Sequence, residues 1–159
     1  MNQPRVPMTP VGKKKLEERL KYLKNVERPK VIAAIEEARG HGDLTENAEY
    51  DIAKEHQLQL SKQIQEVEHK LSLAHVINPS SLNSDKVVFG ATVTLRSMEG
   101  SENVTYSIVG VDEADIKVGK ISIESPIARA IIGKQEGDEV KVKTPQGFKE
   151  FEIVSVKYC

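Results

Sequence analysis

The chemistry this sequence offers most plainly rests on two carboxylates. Asp43 and Glu46 stand three residues apart, a spacing that puts two side chains on one face of a helical turn. Carboxylates are hard oxygen donors of the kind Mg2+ takes. That ion wants six oxygens and commonly accepts one or two from protein carboxylates, with waters and substrate phosphates supplying the rest. Two acids on an exposed turn therefore make half of a metal site, to be completed in another protein's active centre. The same residues also fit a simpler pattern. Asp43-Leu44-Thr45-Glu46 is an acceptor followed three positions later by Glu, the form of a helix capping box, and on spacing alone capping is the simpler reading. His41 beside them reads as a turn residue rather than an acid–base group.

Other chemistries find little to work with. The one cysteine, Cys159, is the last residue and cannot form an intrachain disulfide or a thiolate cluster. His41, His56, His69 and His75 have no zinc-ligand spacing with a second Cys. The chain has 159 residues, 23 basic and 24 acidic side chains and a net charge of −1, which argues against a strongly basic nucleic-acid binder. Charged residues make up 30% and aromatics 4%, a balance suited to long helices sharing a narrow seam. No apolar leader is visible near Met1. The longest aliphatic run in a helical pattern, Val31 to Ile35, is far short of a membrane span. A cytoplasmic protein is the expectation.

Charge is segregated despite the small net value. Residues 13–30 hold eight basic side chains (Lys13, Lys14, Lys15, Arg19, Lys21, Lys24, Arg28 and Lys30) against three acidic ones, a net +5. Residues 36–55 hold seven acidic side chains against Arg39 and Lys54, a net −5. Solvated helix faces account for such runs most simply. Their separation also suits a basic flank turned to a polyanion and an acidic tip turned to a cation.

The first half reads as the support for that tip. Thr9-Pro10 is a helix start, Thr as cap and Pro at the first position. Leu16, Leu20 and Leu23 recur at four and three, and Val31, Ile35 and Ala38 extend the stripe. The step from Leu23 to Val31 is eight residues rather than seven and contains Pro29, so a break or kink is expected there. Gly40-His41-Gly42 ends the helix. A second helix, starting at Asp43, carries Tyr50, Ala53, Leu60, Ile64, Val67, Leu71 and Ala74 in register, with Gln57 the one polar member. Two helices of about thirty residues joined by a short turn fold back as an antiparallel coiled-coil hairpin, each arm roughly 45 Å long.

Asn78-Pro79-Ser80-Ser81-Leu82-Asn83-Ser84 reads as a linker. Beyond it, Ala91–Leu95 alternates, Val104–Val111 and Ile153–Val156 are β-branched runs, and Thr144-Pro145-Gln146-Gly147 is a hairpin turn. Ser125 to Gly133 has the cap, N1 proline and terminal glycine of a short helix. The expected architecture is thus a helical hairpin over residues 1–77 with an acidic tip at 40–50, a linker at 78–84, and an α+β domain over 85–159 built as an antiparallel sheet with one short helix.

The stretch from Arg39 through Gly40-His41-Gly42-Asp43-Leu44-Thr45-Glu46-Asn47-Ala48-Glu49 to Tyr50 resembles the tip motif of the bacterial Gre transcript cleavage factors. Val88–Val93, Ser125–Lys134, Asp138-Glu139-Val140 and Thr144-Pro145 resemble their C-terminal domain in the same order, so the likeness spans residues 8–158. It implies an FKBP-like C-terminal fold that docks at the rim of the RNA polymerase secondary channel, and a coiled coil that enters the channel. It implies that Asp43 and Glu46 are the catalytic tip acids, holding a second Mg2+ jointly with polymerase, so that polymerase hydrolyses backtracked RNA. The factor would have no cofactor of its own, act as a monomer, and carry transcription-linked DNA-binding character. The basic residues between Lys13 and Lys30 would correspond to the flank that meets the RNA 3′ end. Thr45 stands where some relatives carry a basic residue, and the basic flank is discontinuous. Two other readings remain. One is a Gre-like channel binder that inhibits without promoting cleavage. The other is an FKBP-like prolyl isomerase or chaperone, whose pocket would have to be lined from Phe89, Tyr106, Phe148, Phe151 and Tyr158.

Overall fold

The computed structural model describes residues 5–40, 42, 47–82, 84–100 and 102–158. It divides into two compact units. The first holds Lys13–Leu73, and the second holds Pro4–Gly12 together with Ala74–Cys159.

The first unit is helical. α1 (Pro10–Tyr22) begins in the second unit and runs on into the first, where five residues, Leu23–Glu27, form a π-helical turn before α2 (Arg28–Arg39). α3 (Ala48–Ser72) packs against them. Leu23, Leu60, Ile64 and Val67 form the buried centre, with Leu16, Leu20, Val31 and Leu71 against it. Ile35, Ala38 and Ala53 are buried further along, and Gln57 is half-buried. These are the stripe residues of the sequence, because two helices can hide only one face each.

The break or kink expected around Pro29 takes the form of a π turn, without a gap in the helix. Residues 10–39 are helical throughout. An α-helix holding a seven-residue seam has no room for an eight-residue step, and a wider turn absorbs the extra residue. The Arg28 amide accordingly donates to the Leu23 carbonyl, five residues back. Pro29, with no N–H to give, falls at the first turn of α2, where its ring is tolerated. Within the π turn the Tyr22 hydroxyl donates to Glu27 Oε1 at 2.7 Å. That hydrogen bond, reinforced by the negative charge of Glu27, raises the phenol above its ordinary value.

Two further expectations are corrected at the ends of α3. The helix begins at Ala48 with Asn47 as its cap, not at Asp43. It stops at Ser72, and Ala74 belongs instead to strand β2 (Ala74–Val76). β2 pairs in parallel with β1 (Val6–Met8), Val6 facing Ala74 and Met8 facing Val76, and the Ile77 amide donates to the Met8 carbonyl at 2.9 Å. This pairing is why residues 4–12 and 74–77 join the second unit, whereas the sequence placed both in the hairpin. Of the linker segment, Pro79–Ser81 forms a 3-10 turn capped by the Asn78 side chain.

The second unit is a five-stranded sheet in the order β5-β4-β3-β7-β6, made of β3 (Thr92–Ser97), β4 (Asn103–Val109), β5 (Lys120–Ser122), β6 (Glu139–Thr144) and β7 (Gly147–Lys157). Every pairing is antiparallel except β4–β5, which is parallel; the expected all-antiparallel sheet fails at that edge. The chain from β4 to β5 passes through two 3-10 turns, Val111–Glu113 and Ile116–Val118, and so returns in the same direction. Period-two alternation sets the core. Val93 and Leu95 are fully buried, as are Ile108 and Ile153 on the neighbouring strands, while the hydroxyls of Thr92 and Ser107 meet at 3.1 Å and those of Thr94 and Thr105 do the same. A bulge at Val154 shifts the register between Thr94 and Leu95. The short helix α4 (Pro126–Ile131), capped by Ser125, adds Ala128 and Ile131 to this core.

The eight-residue step and Pro29 form one device. Deleting Val26 restores seven-residue spacing but forces the proline ring against the carbonyl four residues back, at a cost of about 3 kcal/mol. Pro29→Ala added to the deletion should recover most of it. Urea unfolding of the single and double variants checks this; a deletion that is harmless by itself contradicts it.

Candidate functional site

Asp43, Glu46 and His41 lie outside the described residues, so the site is built from the elements on either side of them in the chain. On the N-terminal side α2 ends at Arg39, with Gly40 as its C-cap. Its amide reaches the carbonyls of Glu36 and Glu37 at 3.2 and 3.1 Å. Gly42 has φ +104°, in the left-handed region that glycine enters at little cost. On the C-terminal side Asn47, in extended backbone, opens α3.

Asn47 holds the two sides together. Its Oδ1 accepts from the Tyr50 amide at 3.2 Å, which caps α3, and its Nδ2 donates to the Ala38 carbonyl in the last turn of α2. One amide side chain thus satisfies an orphan donor of one helix and an orphan acceptor of the other. The Arg39 guanidinium stands 5.9 Å from the Tyr50 ring centroid, a cation–π contact across the same turn. The sequence did not single out Asn47. The signal was present in the strong N-cap preference of Asn, masked by the overlapping Asp43–Glu46 pattern. With Asn47 as the cap, the start of α3 does not depend on either acid.

The acidic character continues along both helices. Glu36, Glu37, Glu49, Asp51 and Glu55 are all exposed. Of the basic residues expected to form a flank, Lys14, Lys15, Arg19, Lys21, Arg28 and Lys30 are exposed. Lys24 pairs with Glu68 at 2.7 Å and Lys13 with Glu17 at 3.8 Å. Such surface pairs add little stability, and they interrupt the basic stripe. His56 borders an open groove of about 310 Å3 beside the π turn, with Arg19, Tyr22 and Glu27. Among the described residues no three His, Cys, Asp or Glu side chains gather as a cation site, and no helix is long and apolar enough to cross a membrane.

The aromatics of the second unit are occupied elsewhere. Phe89 is buried in the core, and Tyr106, Phe151 and Tyr158 pack against it. The Tyr158 hydroxyl donates to the Lys86 carbonyl at 2.5 Å and accepts from the Val88 amide at 3.2 Å. Phe148 is 59% exposed, with the Lys141 ammonium 4.9 Å from its ring centroid. Four of the five rings thus serve the core, and the isomerase reading is not favoured.

Comparison with known proteins assigns the two parts of the chain to one class. Residues 6–76 match the family described as transcription elongation factor, N-terminal, and residues 82–158 match transcription elongation factor, GreA/GreB, C-term. The chain belongs to the GreA/GreB family of transcription elongation factors. It is 56% identical over 155 residues to transcription elongation factor GreA of Neisseria meningitidis serogroup A, covering 97% of this chain and 98% of that one. It is 58% identical over 155 residues to the GreA of Thioalkalivibrio sulfidiphilus, again with 97% and 98% covered. A solved GreA/GreB factor from Nitrosomonas europaea aligns over 98% of this chain and 100% of its own, with a TM-score of 0.43 and 22% identity. The assignment rests on the sequence relatives.

Removing the Asn47 side chain should loosen the turn. Asn47→Ala is expected to cost about 1–2 kcal/mol, since both a cap and a bond to a helix-end carbonyl are lost. Asn47→Asp keeps the acceptor for Tyr50 but not the donor to Ala38, and should fall between that variant and the parent in urea unfolding.

Proposed function

We propose that this protein is a transcription elongation factor that acts on RNA polymerase and stimulates its cleavage of backtracked nascent RNA, with Asp43 and Glu46 as the acids it contributes. It is not itself an enzyme; the hydrolysis belongs to polymerase. The observation that carries the reading is the tip motif Gly40–Tyr50 in a chain more than half identical to GreA factors over nearly its whole length. Asn47 adds support, because α3 has its cap without the two acids. That weakens the alternative in which they serve only as a capping box.

In this reading the helical unit is an antiparallel coiled-coil hairpin that enters the secondary channel. Contacts at its two ends support opposed helix directions, Lys24 meeting Glu68 and Ala38 meeting Asn47. The second unit is an FKBP-like domain that docks at the channel rim, and the protein works as a cytoplasmic monomer. The donor set of the tip fits Mg2+ in kind, being two hard carboxylate oxygens, and falls short in number, so the cation is shared rather than resident. When held there jointly with polymerase, Mg2+ supplies charge stabilisation at the attacking and leaving oxygens of the phosphodiester. Asp43 and Glu46 contribute negative ligands and orient the attacking water. The exposed lysines and arginines between Lys14 and Lys30 face the extruded RNA 3′ segment.

Cleavage assays on stalled elongation complexes with labelled RNA test the assignment. Asp43→Asn and Glu46→Ala should lose most stimulation at saturating factor while competing for polymerase nearly as well as the parent. Their loss falls on the transition state rather than on binding. Asn caps a helix about as well as Asp but carries no charge, so full activity of Asp43→Asn would mean that the acid is structural. A parent chain that binds polymerase yet releases no RNA would instead be an inhibitory channel binder.

RNA incubated with Mg2+ and the protein alone should remain intact. Hydrolysis without polymerase would contradict an activity completed in trans.

A further inference from the structure

The five-stranded sheet of the second unit has a face turned away from its core, and that face carries chemistry of its own. Val93, Leu95, Ile108 and Ile153 point inward, so by alternation Thr92, Thr94, Arg96, Thr105 and Ser107 stand on the other side. Register sets the rows of this outer face. Ser107 pairs with Lys120 and with Thr92, and Thr92 pairs with Lys157, so one row runs Lys-Ser-Thr-Lys across four strands. The next row is Thr105, Thr94 and Ser155. Beyond it Arg96 is paired with Glu152. The face ends at the β6–β7 hairpin, where Lys141 stands opposite Glu150 and Lys143 opposite Phe148.

Phe148 is out of place as a core residue. It is 59% exposed, and a diagonal neighbour, the Lys141 ammonium, lies 4.9 Å from its ring centroid. A phenyl ring left in water with two lysines beside it is a stacking surface: any base has a π face to lay on it, and the cations meet the phosphates that accompany the base. Charge over the face agrees. Arg96, Lys120, Lys141, Lys143 and Lys157 stand against Glu139, Glu150 and Glu152, a net +2. The whole unit, Pro4–Gly12 with Ala74–Cys159, has eleven basic and twelve acidic residues, a net −1. The remainder is therefore −3, and the positive excess of the unit is gathered on this one side. The hydroxyl rows between Lys120 and Lys157 supply the small donors and acceptors that bind sugars and phosphates without reading sequence.

We infer that the outer face of this sheet is a binding surface for single-stranded nucleic acid. Phe148 stacks a base, Lys141 and Lys143 hold the phosphates next to it, and the hydroxyl rows with Lys120 and Lys157 carry the chain across the sheet. The strand must be single, because a base within a duplex cannot leave its neighbours to lie on the ring. The surface lies wholly in the second unit and does not depend on the cleavage reading.

Titration of the full chain with labelled oligo(U) and oligo(dT) of about ten nucleotides, followed by fluorescence anisotropy at several salt concentrations, tests it. The parent should bind, and tighter binding of one oligonucleotide identifies RNA or DNA as the strand taken, since only RNA offers a 2′-hydroxyl to the face. Phe148→Ala should weaken binding about tenfold. Phe148→Trp should stay within about twofold of the parent, whereas Phe148→Leu, apolar but without a π face, should fall with Ala. Lys141→Gln combined with Lys143→Gln should lower the slope of log affinity against log salt by about 1.4. Glu150→Gln removes an acid from the face and should tighten binding about twofold, a gain that unfolding cannot mimic. Affinity for a duplex should be the same in Phe148→Ala as in the parent. A parent that binds neither oligonucleotide overturns the inference. Parental affinity in Phe148→Ala or Phe148→Leu overturns it as well, because the strand then lies elsewhere on the chain. If these variants instead compete less well for polymerase while oligonucleotide binding is unchanged, the face is a protein contact and the inference fails.

Discussion

A helix pair that shares one apolar stripe has no second core to fall back on, so the stripe must stay in register along its whole length. Leu16, Leu20, Leu23, Val31, Ile35 and Ala38 on one side meet Ala53, Leu60, Ile64, Val67 and Leu71 on the other. Each is a modest burial, and the alignment is what makes them additive. The π turn at Leu23–Glu27 follows from this constraint. It restores Val31 to the seam after an eight-residue step, and it does so where Pro29 has already removed an α-helical hydrogen bond. The irregularity in the helix is therefore the cost of regularity in the seam.

The far end of the pair answers to a different requirement. Helix termini leave unpaired amides and carbonyls that something must satisfy. Asn47 meets that need for α2 and α3 together, through Ala38 and Tyr50. A single polar side chain with both a donor and an acceptor suits this place better than a carboxylate, which only accepts. The amide of Asn47 thus serves the backbone at both helix ends, and the cap of α3 does not call on either acid.

What could be read from the sequence tracks how local each feature is. The seam was legible because its period is written in consecutive turns, and the hairpin strands β6 and β7 because Thr144-Pro145-Gln146-Gly147 marks the turn between them. The position of the helix irregularity was legible from Pro29 and the long step, but not its form, since a kink and a π turn share that signature. Two cap signals overlap in Asp43–Asn47, and the Tyr50 amide, bonded to Asn47 Oδ1, decides for Asn47. The three-residue strands β1 and β2 are too short to show alternation, and the parallel β4–β5 edge hides behind two 3-10 turns. Of the candidate site, Asp43 and Glu46 were legible as a spacing whose meaning came from the resemblance. The contact of Glu113 with Thr9 was not legible at all, because tertiary structure alone brings the two together.

The parallel pairing of β1 with β2 has a topological consequence. Val6 lies beside Ala74 and Met8 beside Val76, so the chain leaves the second unit and re-enters it at neighbouring strands. The helical unit is thus an insertion, a loop of helices spliced into a domain whose own chain is interrupted between Gly12 and Ala74. Its two ends are pinned side by side, and its length is not fixed by the domain that carries it. An insertion of this kind can change length by whole heptads while the strand pairing that closes its host stays as it is.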